Sequence, residues 1–139
     1  METIVVNSAE YTALKMNAFD ANKLLIRINK IVLPVMANMG KGIDADLSKI
    51  SDVLVQNLNE EVMDSIIFPL LNFSKVYSAE KKMFIKDAAS MNMCYTVETL
   101  PDFYLLIWEV LKLNYESFFH KVAANFGDLT ASLTAEIKS

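Results

Sequence analysis

The stretch from Thr99 to Phe126 constrains the fold more than any other part of the chain. Its large apolar residues recur every three or four positions, which is the period of one face of an α-helix. Thr99 is a candidate N-cap, Pro101 suits the first helical turn, and Gly127 suits the position just after a helix end. The sequence therefore predicts an amphipathic helix of about seven turns. Its main apolar stripe comprises Phe103, Ile107, Val110, Leu111, Asn114, Phe118 and Val122.

A second apolar edge runs beside that stripe and comprises Leu106, Trp108, Tyr115 and Phe119. So wide an apolar surface is buried only when several other elements, or a partner chain, cover it. Core packing is the more frequent role for such residues. The alternative is that some of them bind a partner or a second copy of the chain, and Trp108 would be the first anchor to test. The aromatic candidates for partner binding are Tyr104, Trp108, Tyr115 and Phe119.

Length and composition indicate one hydrophobic domain. The chain has 139 residues, of which 53% are hydrophobic and 22% charged, so one core is expected and disorder is excluded. The longest charge-free runs are about half of what a bilayer span needs, so no membrane segment is expected. The net charge is −4 and the basic residues are scattered, which argues against nucleic-acid binding. One cysteine and no signal peptide favour the cytoplasm.

The N-terminal half reads as a hairpin followed by helices. Thr3–Val6 and Tyr11–Met16 predict two antiparallel strands, which need a helix or a partner's sheet to be stable. Asn17 or Asp20 caps a helix that runs from Ala18 to Met39. Pro34 should kink or break this helix. A glycine turn follows at residues 40–42, and the next helix opens at residues 43–44.

The middle of the chain predicts a further helix and a less regular connection. A helix starts at residues 59–61, continues to Val76 and is interrupted by Pro69. Residues 78–86 fit a loop or a short strand at 83–85, residues 88–94 fit one or two helical turns, and residues 95–97 are extended. The predicted fold is mainly α: a single-domain bundle of four or five helices, residues 1–127, with a small N-terminal β-hairpin.

The last twelve residues form a tail, 128–139, that we expect to be separable from the domain. Leu129, Leu133 and Ile137 recur every four positions, so a short helix would carry them on one edge. Such a segment can dock in a groove, and these three residues are further candidates for partner binding. The alternative is a frayed chain end, because helices this short are marginal in water.

No catalytic or metal-binding pattern is present in the sequence. His120 is the only histidine, and Cys94 has no basic cluster nearby to stabilise a thiolate. One histidine and one cysteine cannot supply the ligands of a structural zinc site. We therefore expect no enzymatic activity, no cofactor and no metal.

Three segments resemble the tail assembly chaperones of long-tailed bacteriophages and prophages. They are residues 17–25 after the hairpin, residues 31–35, and residues 100–112 around Leu100-Pro101-Asp102 and Trp108. The resemblance extends from about Ile4 to Gly127. It implies a small helical protein of the host cytoplasm that is absent from the mature virion. It also implies binding to the hydrophobic tape measure protein and assistance to tail tube assembly. Self-association into a homo-oligomer is predicted separately, from the high apolar fraction and the wide apolar surface of the last helix.

Two other classes share some of these traits. A phage structural adaptor, such as a head–tail joining protein, would also be small and helical, but it would remain in the virion. A helical DNA-binding regulator would need clustered basic residues, which this chain lacks.

Overall fold

The computed structural model describes residues 1–38 and 47–118. The chain begins with strands β1 (Glu2–Val6) and β2 (Ala9–Ala13), which pair antiparallel with Val6 opposite Ala9. Asn7 and Ser8 form the two-residue turn with φ angles of 46° and 75°, the left-handed values that tight hairpins require. Alternation places Ile4, Val6, Tyr11 and Ala13 in the core. The predicted hairpin is confirmed, with β2 starting and ending earlier than expected.

The hairpin belongs to a four-stranded sheet of order β1-β2-β3-β4. Strands β3 (Tyr77–Ser78) and β4 (Met83–Phe84) form a second hairpin, and β3 pairs antiparallel with β2. The rings of Tyr77 and Phe84 meet edge to face at 5.1 Å across that hairpin. Of the two alternatives for residues 78–86, the short strand is therefore the one observed.

Helix α1 (Ala18–Asn38) follows β2. Its N-terminus is capped by Asn17, whose Oδ1 accepts the amide of Asp20 at 2.8 Å. Leu24, Ile28 and Val32 form its buried face. The helix continues through Pro34 to Asn38, so the predicted break at Pro34 is wrong, while the alternative of a kink there stays a prediction. The predicted glycine turn at 40–42 and the helix start at 43–44 lie outside the described residues.

Helix α2 (Leu47–Gln56) buries Ile50, Val53 and Leu54. The next helix, α3, runs from residue 60 to residue 73 in three joined parts: Glu60–Val62, a π-helical turn at Met63–Ile67, and Phe68–Phe73. The predicted cap is confirmed, because Asn59 Oδ1 accepts the Val62 amide at 2.8 Å.

The interruption predicted at Pro69 takes the form of that π-helical turn. Pro69 has no N–H to donate to the carbonyl of Ser65, four residues earlier. Arg27 of α1 supplies the missing donor, since its guanidinium contacts the Ser65 carbonyl oxygen at 2.9 Å. The proline thus frees a backbone acceptor that ties α3 to α1.

Helix α3 ends earlier than the predicted Val76. Lys75 has a φ of 49°, and its amide bonds the carbonyl of Asn72, while the amide of Val76 bonds the carbonyl of Leu71. This is a Schellman termination with lysine at the position that glycine usually occupies. It turns the chain directly into β3.

Helix α4 (Ala88–Cys94) begins at a capping box between Asp87 and Ser90. A 3₁₀ turn, Val97–Thr99, leads into helix α5, which is described from residue 100 to residue 118. The prediction that Thr99 is the N-cap is wrong, because the chain is already helical there. The capping pair forms one turn earlier, where the Thr96 amide donates to Thr99 Oγ1 at 2.8 Å.

Helix α5 supplies the centre of the core. Phe103, Ile107, Val110 and Leu111 of the predicted main stripe are buried, and so are Leu106 and Tyr115 of the second edge. Phe118, at the end of the described helix, is partly exposed, and Val122 lies outside the described residues. The mainly helical fold with an N-terminal strand pair is confirmed. No helix within the described ranges is long and apolar enough to cross a bilayer.

Candidate partner-binding site

An open apolar groove of about 500 Å³ lies between α2 and α5. We call it the α2–α5 groove. One wall belongs to α2 and is polar, with Ser51 and Asp52. The other wall belongs to α5 and is largely apolar. It comprises Pro101, Tyr104, Leu105 and Trp108.

The spacing of the α5 residues explains why they share one wall. Positions 101, 104, 105 and 108 are separated by three or four residues, which is one face of a helix. The opposite face of the same helix carries the buried Phe103, Leu106 and Val110. Leu105 is 46% exposed and lies beside Tyr104 and Trp108 on this face, so the apolar residues there form a patch. Helix α5 is therefore apolar both toward the core and toward the groove.

Trp108 is held at one end of the groove by contacts within its own helix. The ammonium of Lys112 lies 5.4 Å from the centre of the indole ring, a cation–π distance. Lys112 also contacts the Glu109 carboxylate at 2.9 Å. The cation is positioned by both neighbours. The indole presents a half-buried ring to the groove.

The residues proposed from the sequence fall into three groups. Tyr104 and Trp108 line the α2–α5 groove. Tyr115 lies in the core at 3% exposure, and its hydroxyl donates to the Ala21 carbonyl at 2.8 Å, so its aromatic ring packs inside the domain. The remaining four lie outside the described residues: Phe119, Leu129, Leu133 and Ile137.

The other groove residues were not predicted from the sequence. Leu105 and Pro101 were detectable, since they share the helix face of Tyr104 and Trp108. Ser51 and Asp52 gave no signal in the sequence. They join the site only because α2 packs beside α5.

Burial and local hydrogen bonds shift the pKa of a few titratable groups in the described chain. Burial raises the pKa of the Cys94 thiol, which disfavours the reactive thiolate. Burial also raises the pKa of Tyr11 and of Tyr95, whose hydroxyls share a hydrogen bond of 2.8 Å. The Ser90 amide and hydroxyl lower the pKa of Asp87 at the start of α4. Within residues 1–38 and 47–118, no three metal-ligating side chains come together.

The fold and the groove define a class: a small, mainly helical domain with an open apolar groove between two of its helices. The particular family follows from comparison with known proteins. The chain belongs to the phage tail assembly chaperone family, because the model of the phage tail assembly chaperone protein TAC matches residues 7–127. Neither the curated proteins nor the solved structures include a significant match.

Proposed function

We propose that the α2–α5 groove binds an apolar helix of the phage tape measure protein and keeps it soluble while tail tube subunits assemble around it. The family match supports a role in tail assembly. The observation that carries the proposal is the apolar α5 wall, Pro101 to Trp108, facing outward on a helix whose other face is core.

The dimensions and chemistry of the groove suit a helix. Its α5 wall runs from Pro101 to Trp108, and the seven steps between them at about 1.5 Å per residue give about 10 Å, which matches two turns of a bound helix. Tyr104, Leu105 and Trp108 offer apolar contact area, with the tryptophan as the usual type of anchor. Ser51 and Asp52 supply a polar rim on the other side. An amphipathic helix would place its apolar stripe on α5 and its polar edge on α2.

The proposal includes the place and stage of action. As a chaperone, the protein acts without catalysis in the cytoplasm of the infected bacterium and leaves before the virion is complete. Mass spectrometry of purified virions tests this stage directly. Absence of the chain from virions whose tube and tape measure proteins are detected is the expected result. Stoichiometric presence would favour a structural adaptor, such as a head–tail joining protein.

The groove is tested by substitution on α5. We expect Trp108→Ala to weaken binding of the tape measure protein by at least about 2 kcal/mol, roughly thirty-fold in Kd, as for an aromatic anchor. Leu105→Ala should act in the same direction. The matched control is Ile26→Ala on α1, which removes a side chain of the same class at 51% exposure on another element.

The measurement is co-expression with the tape measure protein of the same phage, followed by its soluble yield and by the affinity of the purified pair. Loss of soluble partner with Trp108→Ala, but not with Ile26→Ala, supports the groove. Equal binding by all variants would overturn it. Circular dichroism identifies a variant that unfolds, in which case Trp108 belongs to the core.

We infer that the tail, residues 128–139, adds a second contact with a partner. Leu129, Leu133 and Ile137 are spaced for one edge of a short helix, which supports docking when a groove is offered. The inference concerns affinity and not folding, because the tail follows Gly127, where the sequence pattern predicts that the last helix ends.

A further inference from the structure

The two edges of the sheet differ in how they are protected. Strand β4 has only two residues, and Lys81, Lys82 and Lys86 lie close to its ends. Short length and lysines are the usual devices that prevent an edge strand from pairing with another chain. Strand β1 has five residues, four of them the β-branched run Thr3–Val6, and contains neither lysine nor proline. The described structure therefore protects the β4 edge and leaves the β1 edge suited to pairing.

The hairpin register identifies which backbone groups face that edge. With a two-residue turn, Val6 and Ala9 exchange hydrogen bonds, and bonded pairs then alternate along the ladder. Ile4 and Glu2 accordingly bond β2, while the N–H and C=O groups of Thr3 and Val5 point away from it. Neither Thr3 nor Val5 has a backbone partner elsewhere in the described ranges. The Val5 side chain is 59% exposed.

We propose that β1 pairs antiparallel with β1 of a second copy of this chain, about a two-fold axis at Ile4. The sheet then runs continuously through both copies. This interface is distinct from the α2–α5 groove. It also involves residues that precede the family-matched segment 7–127, so the family match does not assign it.

The self-complementarity of β1 indicates that its pairing partner is a second copy of the chain. The outward-facing residues Thr3 and Val5 are placed symmetrically about Ile4. A two-fold axis there puts Thr3 of each copy opposite Val5 of the other, so every outward N–H meets a C=O. The single charge of the strand, Glu2, falls opposite Val6 of the second copy, and no like charges face each other.

Hydrogen exchange of the intact protein tests the interface residue by residue. The Thr3 and Val5 amides should exchange rapidly in dilute protein and slow at least tenfold at concentrations where sedimentation shows dimers. The Ile4 and Val6 amides, already bonded to β2, should be protected at both concentrations. Dimers with unprotected Thr3 and Val5 amides would overturn the proposal, and so would a monomer at about 100 μM. Protection that requires an added tape measure protein would identify an extended partner segment instead and would also overturn it.

Substitutions at Val5 provide the second measurement. Val5→Pro removes an N–H that β2 does not use, and proline is tolerated on edge strands. The two-fold axis makes this one change remove two hydrogen bonds, so self-association should weaken about tenfold or more. Val5→Lys replaces the proline variant if proline disturbs the hairpin. The two-fold axis makes the two lysines diagonal neighbours on one face, and their like charges should weaken self-association. Val5→Thr is the matched control and should leave self-association unchanged.

The outcomes separate this proposal from the proposed function. Trp108→Ala should leave the β1 interface intact, and Val5→Lys should leave the α2–α5 groove intact. Unchanged dimerisation in both Val5→Pro and Val5→Lys would refute edge pairing, whatever happens to tape measure binding.

Discussion

Asn114 is a polar residue on the apolar stripe of α5, and its replacement by alanine should destabilise the fold. Its Oδ1 accepts the amide of Met16 at 2.7 Å. Its Nδ2 donates to Ser74 Oγ at 2.8 Å and to the Val110 carbonyl at 2.9 Å. One side chain thus joins the segment after β2, the end of α3 and helix α5.

The size of the loss in stability depends on the polar groups that lose Asn114 as their hydrogen-bond partner. Asn114→Ala leaves the Met16 amide and the Ser74 hydroxyl without this partner, and Ser74 is completely buried. Each unsatisfied group costs about 1–3 kcal/mol, with the lower value for the partly buried amide. The higher helix propensity of alanine offsets up to about 0.7 kcal/mol. The free energy of unfolding should therefore fall by about 2–3 kcal/mol.

Urea denaturation followed by circular dichroism measures this change, with the m-value as a check on two-state unfolding. Asn22→Ala is the matched control, since Asn22 is exposed on α1 and should change stability by less than about 0.7 kcal/mol. Asn114→Leu separates volume from hydrogen bonding and should be as unstable as the alanine variant. Wild-type stability in Asn114→Leu would show that the hydrogen-bond argument is wrong.

The remaining predictions concern caps, a turn, alkaline pH and the tail. Asn59→Ala should lower the free energy of unfolding, measured in urea, by about 1 kcal/mol, because the Val62 amide loses its cap. An unchanged free energy of unfolding would show that this cap does not stabilise the fold. Lys75→Gly should raise it by about 1 kcal/mol, because glycine adopts a φ of 49° without strain; a loss would contradict this. Burial raises the pKa of Tyr95 and Tyr115 above the ordinary 10.0. The stabilisation from the neutral phenols is therefore complete below pH 10, and the free energy of unfolding should fall as the pH rises above 10. A urea midpoint that does not change above pH 10 would refute this link between tyrosine ionisation and stability. Truncation after Gly127 should keep the thermal midpoint within a few degrees and reduce partner affinity or self-association. Unchanged partner affinity and self-association would show that the tail does not contribute to binding.

The features predicted correctly from the sequence depend on neighbours within a few residues. Asn17 and Asn59 cap helices through contacts that reach three residues along the chain. The hairpin turn at Asn7 and Ser8 lies between two short β-prone runs. Thr99 shows the limit of such reasoning. The sequence pattern indicated Thr99 because Pro101 follows it closely, whereas the capping pair begins at Thr96, which the pattern did not single out.

The sequence by itself determined where helices form and that α5 is apolar around much of its circumference. Only the tertiary structure divided that circumference between core and groove. Tyr115 and Trp108 belong to the same predicted edge, yet α1 accepts the hydroxyl of Tyr115 and covers it, whereas α2 leaves Trp108 beside an open groove. Likewise, β2 pairs with β3 across more than sixty residues, Tyr11 with Ser78. The periodicity of the sequence shows which face of a helix is hydrophobic. Which part of that face is covered depends on the packing of elements distant in sequence, and no local pattern encodes that packing.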